Sequence, residues 1–326
     1  MKLNKEELSW ILYDCGNSAY SIIITTAIFP VFYTSMAKLT GITDAASSEY
    51  WNYANSLSTF IIVLLSPTLG TIADYKNFKK RFFIFFSSLG IIFTLLLGFI
   101  PSDKWLMLLI FYIITSVGFS GANIFYDAFL VDVSDDSNMD RVSANGYAYG
   151  YISSVIPFII CIGLINFSGL DKILMTKLSL GLMIALLLTQ VVAFPFAILY
   201  GKLSKKFGAK NLIIFGILTY TIVCCMSFFL DTLIEFIILG FLIASAQGGI
   251  QALSRSYFAK IIPKERNNEF FGFYNIFGKF ASIMGPILMG IFTRITGSMR
   301  TGVISLIILF IIGLLIMIRL PKDIVN

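Results

Sequence analysis

Ten long apolar stretches occupy most of this 326-residue chain, and they indicate a bundle of membrane-spanning helices. A hydrocarbon core about 30 Å thick needs roughly 20 residues of helix to cross it. In lipid, backbone polar groups must be paired within the structure, and these stretches are too long for barrel strands. The sequence therefore predicts spans at residues 9–34, 51–73, 82–100, 105–131, 146–167, 178–200, 211–230, 232–258, 270–293 and 301–319.

The segments that join these stretches are alternately rich and poor in lysine and arginine. If both termini lie in the cytoplasm, the inner segments hold seventeen of these residues and the outer segments six, with Lys279 inside a span. The positive-inside rule then predicts a multi-pass cell-membrane protein with cytoplasmic termini. Asp14 and Asn17 interrupt the first stretch and no cleavage site follows, so we expect a helix and not a removed signal.

The composition argues against a soluble domain, a nucleic-acid-binding protein and a metalloprotein. The chain is 57% hydrophobic and 13% charged, which is far from a soluble domain. Its net charge of +6 comes from short loops beside apolar helices, so we expect no nucleic-acid partner. All four cysteines lie in predicted spans without metal-ligand spacing, and we interpret them as small packing residues. We expect no metal and no cofactor.

The chain contains a repeat in the same direction. Gly70-x-x-x-Asp74 and a basic cluster follow the second span, and a similar segment, Gly201 to Lys210, follows the sixth. Both segments face the same side, which predicts two parallel repeats related by an axis along the membrane normal. The fold class is therefore an all-α polytopic membrane protein. Its predicted parts are an N-terminal bundle of five spans (1–168), a short extracytoplasmic junction (169–177) and a C-terminal bundle of five spans (178–326).

Polar residues form stripes on several predicted spans. In the first span Asp14, Asn17, Ser18, Ser21 and Thr25 have the spacing of one helical face. Polar faces are expensive in lipid, so we expect them to line a water-filled cavity. The hydroxyl groups are also explained by hydrogen bonds between helices. The predicted substrate and ion cavity comprises Asp14, Asn17, Asn123, Asp127, Gln247, Gln251, Asn275 and Lys279.

Lys279 lies near the middle of its span, where an unpaired charge costs about 3 kcal/mol. We expect it to share the cavity with Asp14 and Asp127, whose carboxylates would exchange protons or another coupling ion. The chain has no histidine, so a proton relay would use carboxylates, tyrosine or water.

Gly70-x-x-x-Asp74 with Lys79 and Lys80 resembles the cytoplasmic signature of the major facilitator superfamily. Three blocks resemble the bacterial relatives of the autophagy-related vacuolar amino-acid effluxers. They are LSWILYDCGNSAY at 8–20, QGGIQALSRSY at 247–257 and FFGFYNIFGKF at 270–280. This resemblance implies a secondary transporter of amino acids or similar small solutes that works by alternating access.

The resemblance also implies a cytoplasmic gate formed by Gly70, Asp74, Lys79, Lys80 and Arg141. Asp74 would latch the two halves together, with Arg141 as a candidate partner, although Asp74 is also explained as a helix-end cap. Two positions depart from the family pattern. Asn77 replaces a glycine in the turn, and Lys205 replaces the aspartate of the second copy, which implies that the second latch is lost.

The family has twelve helices, and the resemblance passes from the fifth span of this chain to the family's eighth helix. The sixth and seventh helices are therefore expected to be missing. Since the seventh helix lines the cavity in this superfamily, two alternatives stay open: a homodimer that completes the cavity, and a degenerate relative that no longer transports.

An enzyme is the remaining alternative. Asp132, Asp135, Asp136 and Asp140 form a cytoplasmic carboxylate run that would suit Mg²⁺ bound to a lipid diphosphate. No second aspartate-rich loop completes such a site, and the run also suits the start of the fifth span. We therefore expect that the protein is not an enzyme.

Overall fold

The computed structural model describes residues 3–75, 78–101, 103–167 and 180–320, which contain ten helical segments long and apolar enough to cross a membrane. The first is composite: α1 (Lys5–Tyr20), a π-helical segment (Ser21–Ala27) and α2 (Ile28–Leu39). Eight continuous helices follow: α3 (Asp44–Ala73), α4 (Phe78–Leu97), α5 (Trp105–Val133), α6 (Asp136–Phe167), α7 (Leu180–Phe207), α8 (Ala209–Phe228), α9 (Leu233–Ile261) and α10 (Asn267–Thr296). The tenth segment consists of α11 (Met299–Ile304) and α12 (Ile307–Arg319).

Each predicted span corresponds to one of these segments, so the prediction of a ten-helix membrane protein is confirmed. Several helices extend beyond the predicted limits, as α6 does by starting at Asp136. Hydropathy decreases where charged residues begin, but backbone hydrogen bonding continues past that point. Capping boxes start α1 and α9: Asn4 pairs with Glu7, and Thr232 pairs with Glu235.

Small residues allow α4 and α5 to pack closely. A Cβ added at Gly118 would lie 2.5 Å from the backbone nitrogen of Gly90 and 2.9 Å from the carbonyl oxygen of Phe86. Beside this contact, the Thr115 hydroxyl donates to the Gly90 carbonyl at 2.9 Å. The two backbones are therefore too close for any side chain at position 118.

Two equivalent contacts relate the first five spanning segments to the last five. A Cβ at Gly70, near the end of α3, would lie 2.7 Å from the Asn268 carbonyl oxygen at the start of α10. Gly201, near the end of α7, lies in the same way against Ala144 near the start of α6. Like ends of like helices thus meet in both places, as two parallel repeats require.

The predicted junction at 169–177 lies outside the described residues, as does Asn77 in the turn after α3. The division into bundles at 1–168 and 178–326 therefore stays a prediction.

We predict that Gly118→Ala destabilises the protein by about 1–3 kcal/mol, because the added methyl group overlaps the α4 backbone. Gly240→Ala is the matched control, since a Cβ at this glycine of α9 would have no neighbour within 4 Å. Alanine favours helix by up to about 1 kcal/mol over glycine, so the control should melt at the same temperature or higher. Thermal unfolding of the purified protein in detergent measures both variants. Equal melting temperatures for the two would contradict the close packing.

Candidate functional site

A polar cavity of about 450 Å³ lies among the spanning helices. Side chains from the composite first segment and from α5, α6, α7, α9 and α10 form its walls. Its polar lining residues are Asp14, Asn17, Ser18, Ser21, Thr26, Asn123, Asp127, Tyr147, Tyr151, Thr189, Gln190, Gln247, Gln251, Arg255, Tyr274 and Asn275. The structure thus brings together every predicted cavity residue except Lys279.

Arg255 is the central charge of this cavity. Its guanidinium nitrogen Nη2 lies 3.3 Å from Oδ2 of Asp14, and Nη1 lies 3.2 Å from Oδ1 of Asp127. Nε donates to the Ser143 hydroxyl at 3.1 Å, and Nη2 also donates to the Ser143 carbonyl at 3.3 Å. The Arg255 side chain is only 2% exposed. The network therefore joins α9 to α1, α5 and α6.

Aromatic rings enclose the same guanidinium group. Its central carbon lies 4.5 Å from the ring centroid of Trp10, 5.4 Å from that of Tyr126 and 4.3 Å from that of Tyr147. Trp10 stacks on Tyr126 and donates its indole N–H to the Tyr126 carbonyl at 2.9 Å. Cation–π attraction at a desolvated site adds about 2 kcal/mol to such an arrangement. The rings therefore surround the guanidinium group that pairs with both carboxylates.

Gly146 makes room for the network. A Cβ at this position would lie 2.9 Å from Asp14 Oδ2 and 3.2 Å from Arg255 Nη2. Gly150, one turn later on α6, lies equally close to α1, where a Cβ would be 2.5 Å from the Ser18 hydroxyl oxygen. The two glycines let α6 pack directly on α1.

The network holds two carboxylates and one guanidinium. With all three ionised it carries one uncompensated negative charge inside the membrane-spanning part of the protein. Burying a charge is costly unless it is paired, so the site favours a bound proton or cation.

Several amide groups of the cavity have unused hydrogen-bonding capacity. The side-chain oxygens of Asn17 and Asn123 are buried and have no hydrogen-bond partner among the described residues. By contrast, Gln251 accepts from the Tyr151 hydroxyl at 2.5 Å, and Asn275 donates to the Phe271 carbonyl at 3.0 Å. Buried acceptors without a partner are rare in folded proteins, and both of these asparagines line the cavity.

Arg255 is one of the seventeen basic residues that the positive-inside pattern assigns to the inner segments, and that pattern alone does not predict a place in the cavity. A helical signal was nevertheless present. Gln247, Gln251 and Arg255 are spaced by four residues, so they lie on one face of α9.

The π-helical segment changes the stripe on the first span. Thr26 lines the cavity where uninterrupted α-helical spacing predicted Thr25. A π turn contains one extra residue, so positions after it advance by one around the helix. Thr25 and Thr26 both donate to the Ser21 carbonyl, at 2.6 and 2.9 Å.

The structure corrects the prediction for Lys279. Its ammonium group donates to the Ser120 hydroxyl at 3.3 Å, and it lines a separate hollow between α3 and α10. Arg255 takes the position beside Asp14 and Asp127 that Lys279 was expected to occupy. The guanidinium group of Arg255 donates to two carboxylates at once. Lys279 lies one turn after Asn275 on α10, and its ammonium group contacts Ser120 and not the two acids.

Asp74 binds the start of α10. Its Oδ1 accepts from the Asn268 backbone N–H at 3.0 Å and from the Asn268 side-chain amide at 2.8 Å. Its Oδ2 accepts from the Glu269 backbone N–H at 3.1 Å. The expected pairing with Arg141 is corrected, because both oxygens of Asp74 bind free N–H groups at a helix N-terminus.

Lys79 strengthens the same contact. Its ammonium group lies 2.6 Å from Asp132 and donates to the Ala128 carbonyl at 2.9 Å and to the Asn267 side chain at 3.4 Å. Lys80, the other predicted gate lysine, is exposed on α4. Asp74, Lys79 and Gly70 therefore all meet the first residues of α10.

Ion pairs join the start of α6 to the end of α9 and to the turn that follows it. Lys260 lies 2.7 Å from Asp140, and Lys264 lies 3.2 Å from Asp136. With the Lys79–Asp132 pair, these contacts engage three acids of the run that had suggested a magnesium site. We define the cytoplasmic closure, named after the side on which the predicted topology places it, as the contacts of Gly70, Asp74 and Lys79 with α10 and these two ion pairs.

Known proteins show what this chain is similar to. The family model described as vacuole effluxer Atg22 like matches residues 46–136 and 171–323. An uncharacterised MFS-type transporter of Bacillus subtilis, YxiO, is 43% identical over 411 aligned positions, which cover 99% of this chain and 96% of the relative. Autophagy-related protein 22 of Kluyveromyces lactis is 22% identical, with 82% of this chain and 78% of the relative covered.

Solved structures share the fold. A proton:xylose symporter of the major facilitator superfamily, XylE, superimposes with a TM-score of 0.74 at 9% identity, covering 97% of this chain and 94% of that one. A bacterial homologue of the iron transporter ferroportin in an outward-facing state gives a TM-score of 0.67 at 10% identity, with 96% and 98% covered. These similarities establish a major facilitator fold.

We predict that Asp74→Ala loosens the start of α10. Loss of an N-terminal cap costs about 1 kcal/mol, which corresponds to roughly fivefold faster local opening. Hydrogen exchange measured by mass spectrometry on peptides containing Asn268 and Glu269 should therefore accelerate. Asp103→Ala is the control, because Asp103 is 66% exposed and, within the described parts of the chain, its ion pair is with the neighbouring Lys104. Unchanged exchange in Asp74→Ala would contradict the capping role.

Proposed function

The chain belongs to the vacuole effluxer Atg22-like family, within the major facilitator superfamily, and on this premise we propose that it moves amino acids or similar small polar solutes by alternating access. It is a multi-pass membrane transporter, and its relatives are transporters and not enzymes. The observation that carries the proposal is the Asp14–Arg255–Asp127 network on the wall of the polar cavity.

The cavity supports a solute with hydrogen-bond donors. The side-chain oxygens of Asn17 and Asn123 have no hydrogen-bond partner among the residues that the structure describes, and the two carboxylates attract a cationic group. An amino acid has an ammonium group for such acceptors, and Gln190 and Gln247 offer amide N–H groups for its carboxylate. A cavity of about 450 Å³ is large enough for a molecule of this size.

The arrangement of contacts supports an outward-facing conformation. The cytoplasmic closure consists of polar contacts and close glycine approaches between the first five and the last five spanning segments. Such contacts break at moderate cost because water can replace their hydrogen bonds at the helix ends. In our proposal, their opening accompanies closure on the other side, which exposes the cavity to the cytoplasm.

Protons are the proposed coupling ion. The network has two carboxylates for one guanidinium, so one carboxylate can take up a proton without leaving Arg255 unpaired. Asp127 is the candidate, since it is 14% exposed while Asp14 is 5% exposed. Binding of a proton and release of Asp127 from Arg255 would then be linked events.

We predict that Asp127→Asn loses solute accumulation driven by a pH gradient, by about tenfold or more, because an amide neither takes up nor releases a proton. Purified protein in liposomes is tested with a panel of radiolabelled amino acids. Exchange of labelled for unlabelled solute without a gradient should persist, since it needs no net proton movement. Asp103→Asn, the same substitution at an exposed acid, is the control.

Different outcomes separate the alternatives. Gradient-driven accumulation that survives in both Asp127→Asn and Asp14→Asn would overturn proton coupling by this network. Absence of any flux in the wild type, from a monodisperse and folded preparation, would favour the degenerate relative that no longer transports. Activity that appears only in a dimeric fraction would support the predicted homodimer.

The orientation is also a proposal: a cell-membrane protein with both termini in the cytoplasm. We predict that green fluorescent protein fused after Asn326 fluoresces and that alkaline phosphatase fused there is inactive, because the fluorescent protein folds in the cytoplasm and the phosphatase outside it. Fusions at Lys104, in a predicted outer segment, should give the opposite pair of signals. A phosphatase-active fusion after Asn326 would reverse the topology.

A further inference from the structure

Lys279 is a half-buried cation that does not line the proposed transport cavity. Its one hydrogen bond to a side chain goes to the Ser120 hydroxyl at 3.3 Å, and within the described part of the chain it forms no ion pair. An ammonium group has three donors, so two of them are free for a ligand. A lysine in the middle of a spanning helix without an acidic partner marks a candidate binding site.

The hollow around Lys279 is mostly apolar. It has a volume of about 410 Å³ and lies between α3 and α10. Leu57, Phe60, Phe280 and Ile283 are each more than two-fifths exposed although they lie at membrane depth. Exposed apolar side chains at this depth meet lipid chains and not water. The lining residues are Ser56, Leu57, Thr59, Phe60, Val63, Lys279, Phe280 and Ile283.

We propose that this hollow binds a single-chain amphipathic carboxylate, such as a fatty-acid anion. Its head group would accept hydrogen bonds from the Lys279 ammonium group and from the hydroxyl of Thr59, and its chain would lie along Phe60, Val63 and Ile283. Charge-assisted hydrogen bonds in an apolar surrounding are strong, and they satisfy the donors that the protein leaves open.

Depth and size both favour one chain over a two-chain anionic lipid. Lys279 is about 18 Å along α10 from its first residue, Asn267, and this is far below the level of phospholipid phosphates. A volume of about 410 Å³ is at the small end of the range for ligand pockets. A fatty-acid anion has one chain, so one hollow accommodates it. Its carboxylate can lie deeper than the phosphate of a two-chain lipid when a half-buried ammonium group binds it.

A ligand in this hollow would affect transport because the hollow lies between two helices that move in the proposed alternating access. This effect on transport rests on that proposed function. On the cytoplasmic side α3 and α10 touch through Gly70 and Gly272, whose added Cβ atoms would lie 2.7 Å from the Asn268 carbonyl oxygen and 2.9 Å from the Ser66 carbonyl oxygen. On the other side of this contact the hollow separates the same helices. An occupant there opposes their approach and holds the outward-facing conformation.

The test is saturable binding of tritiated dodecanoate to the full-length protein in nanodiscs of zwitterionic lipid. We expect binding in the wild type that is about ten- to hundredfold weaker in Lys279→Gln and largely restored in Lys279→Arg. Lys104→Gln is the control for removal of a lysine, since Lys104 is 61% exposed and distant in the fold. Dodecanol and dodecyltrimethylammonium should not compete, because neither carries a negative charge.

Gel filtration and exchange of solute in liposomes establish that the variants are folded, and binding is read separately from flux. Equal dodecanoate binding in the wild type and Lys279→Gln, or no saturable binding in the wild type, overturns the proposal. Saturable binding of labelled phosphatidylglycerol that depends on Lys279, without dodecanoate binding, also overturns it, in favour of a two-chain lipid. Binding that depends on Lys279 but leaves flux unchanged supports the site and removes only its effect on transport.

Discussion

The buried ion network of Asp14, Asp127 and Arg255 is the interaction on which the rest of the structure depends. Removing Arg255 would leave two buried carboxylates without their cation, and breaking a buried ion pair in this way typically costs about 3–5 kcal/mol. The chain therefore has to bring α1, α5 and α9 together at one level, although these helices are far apart in sequence. Gly146 and the rings of Trp10 and Tyr147 are placed to make that meeting possible.

The end of the bundle that the predicted topology places in the cytoplasm is held differently. There Asp74 and Lys79 bind a helix start, and lysine–aspartate pairs join α6 to α9 at partly exposed positions. Each of these contacts contributes modestly because water competes for the same groups. The contacts at the cavity are buried, whereas those at the helix ends are accessible to water and therefore break at lower cost. The proposed alternating access depends on this difference.

The shortened chain still forms a cavity. The relative from Bacillus subtilis aligns over 411 positions, whereas this chain has 326 residues, so that relative carries residues without a counterpart here. This agrees with the expected loss of the family's sixth and seventh helices. In the described residues α6 and α7 pack against each other, and side chains of both line the cavity.

The sequence by itself determined the ten helices, the family, the parallel repeat and most of the polar residues that meet in the cavity. These follow from local regularities: apolar length, helical spacing and motifs within one segment. Only the tertiary structure decided which charges pair. Arg255 and not Lys279 lies beside the acids, Asp74 binds the start of α10 and not Arg141, and one extra residue in a π turn presents Thr26 in place of Thr25. Pairing depends on the rotation and depth of helices relative to one another, and packing across the whole bundle fixes both.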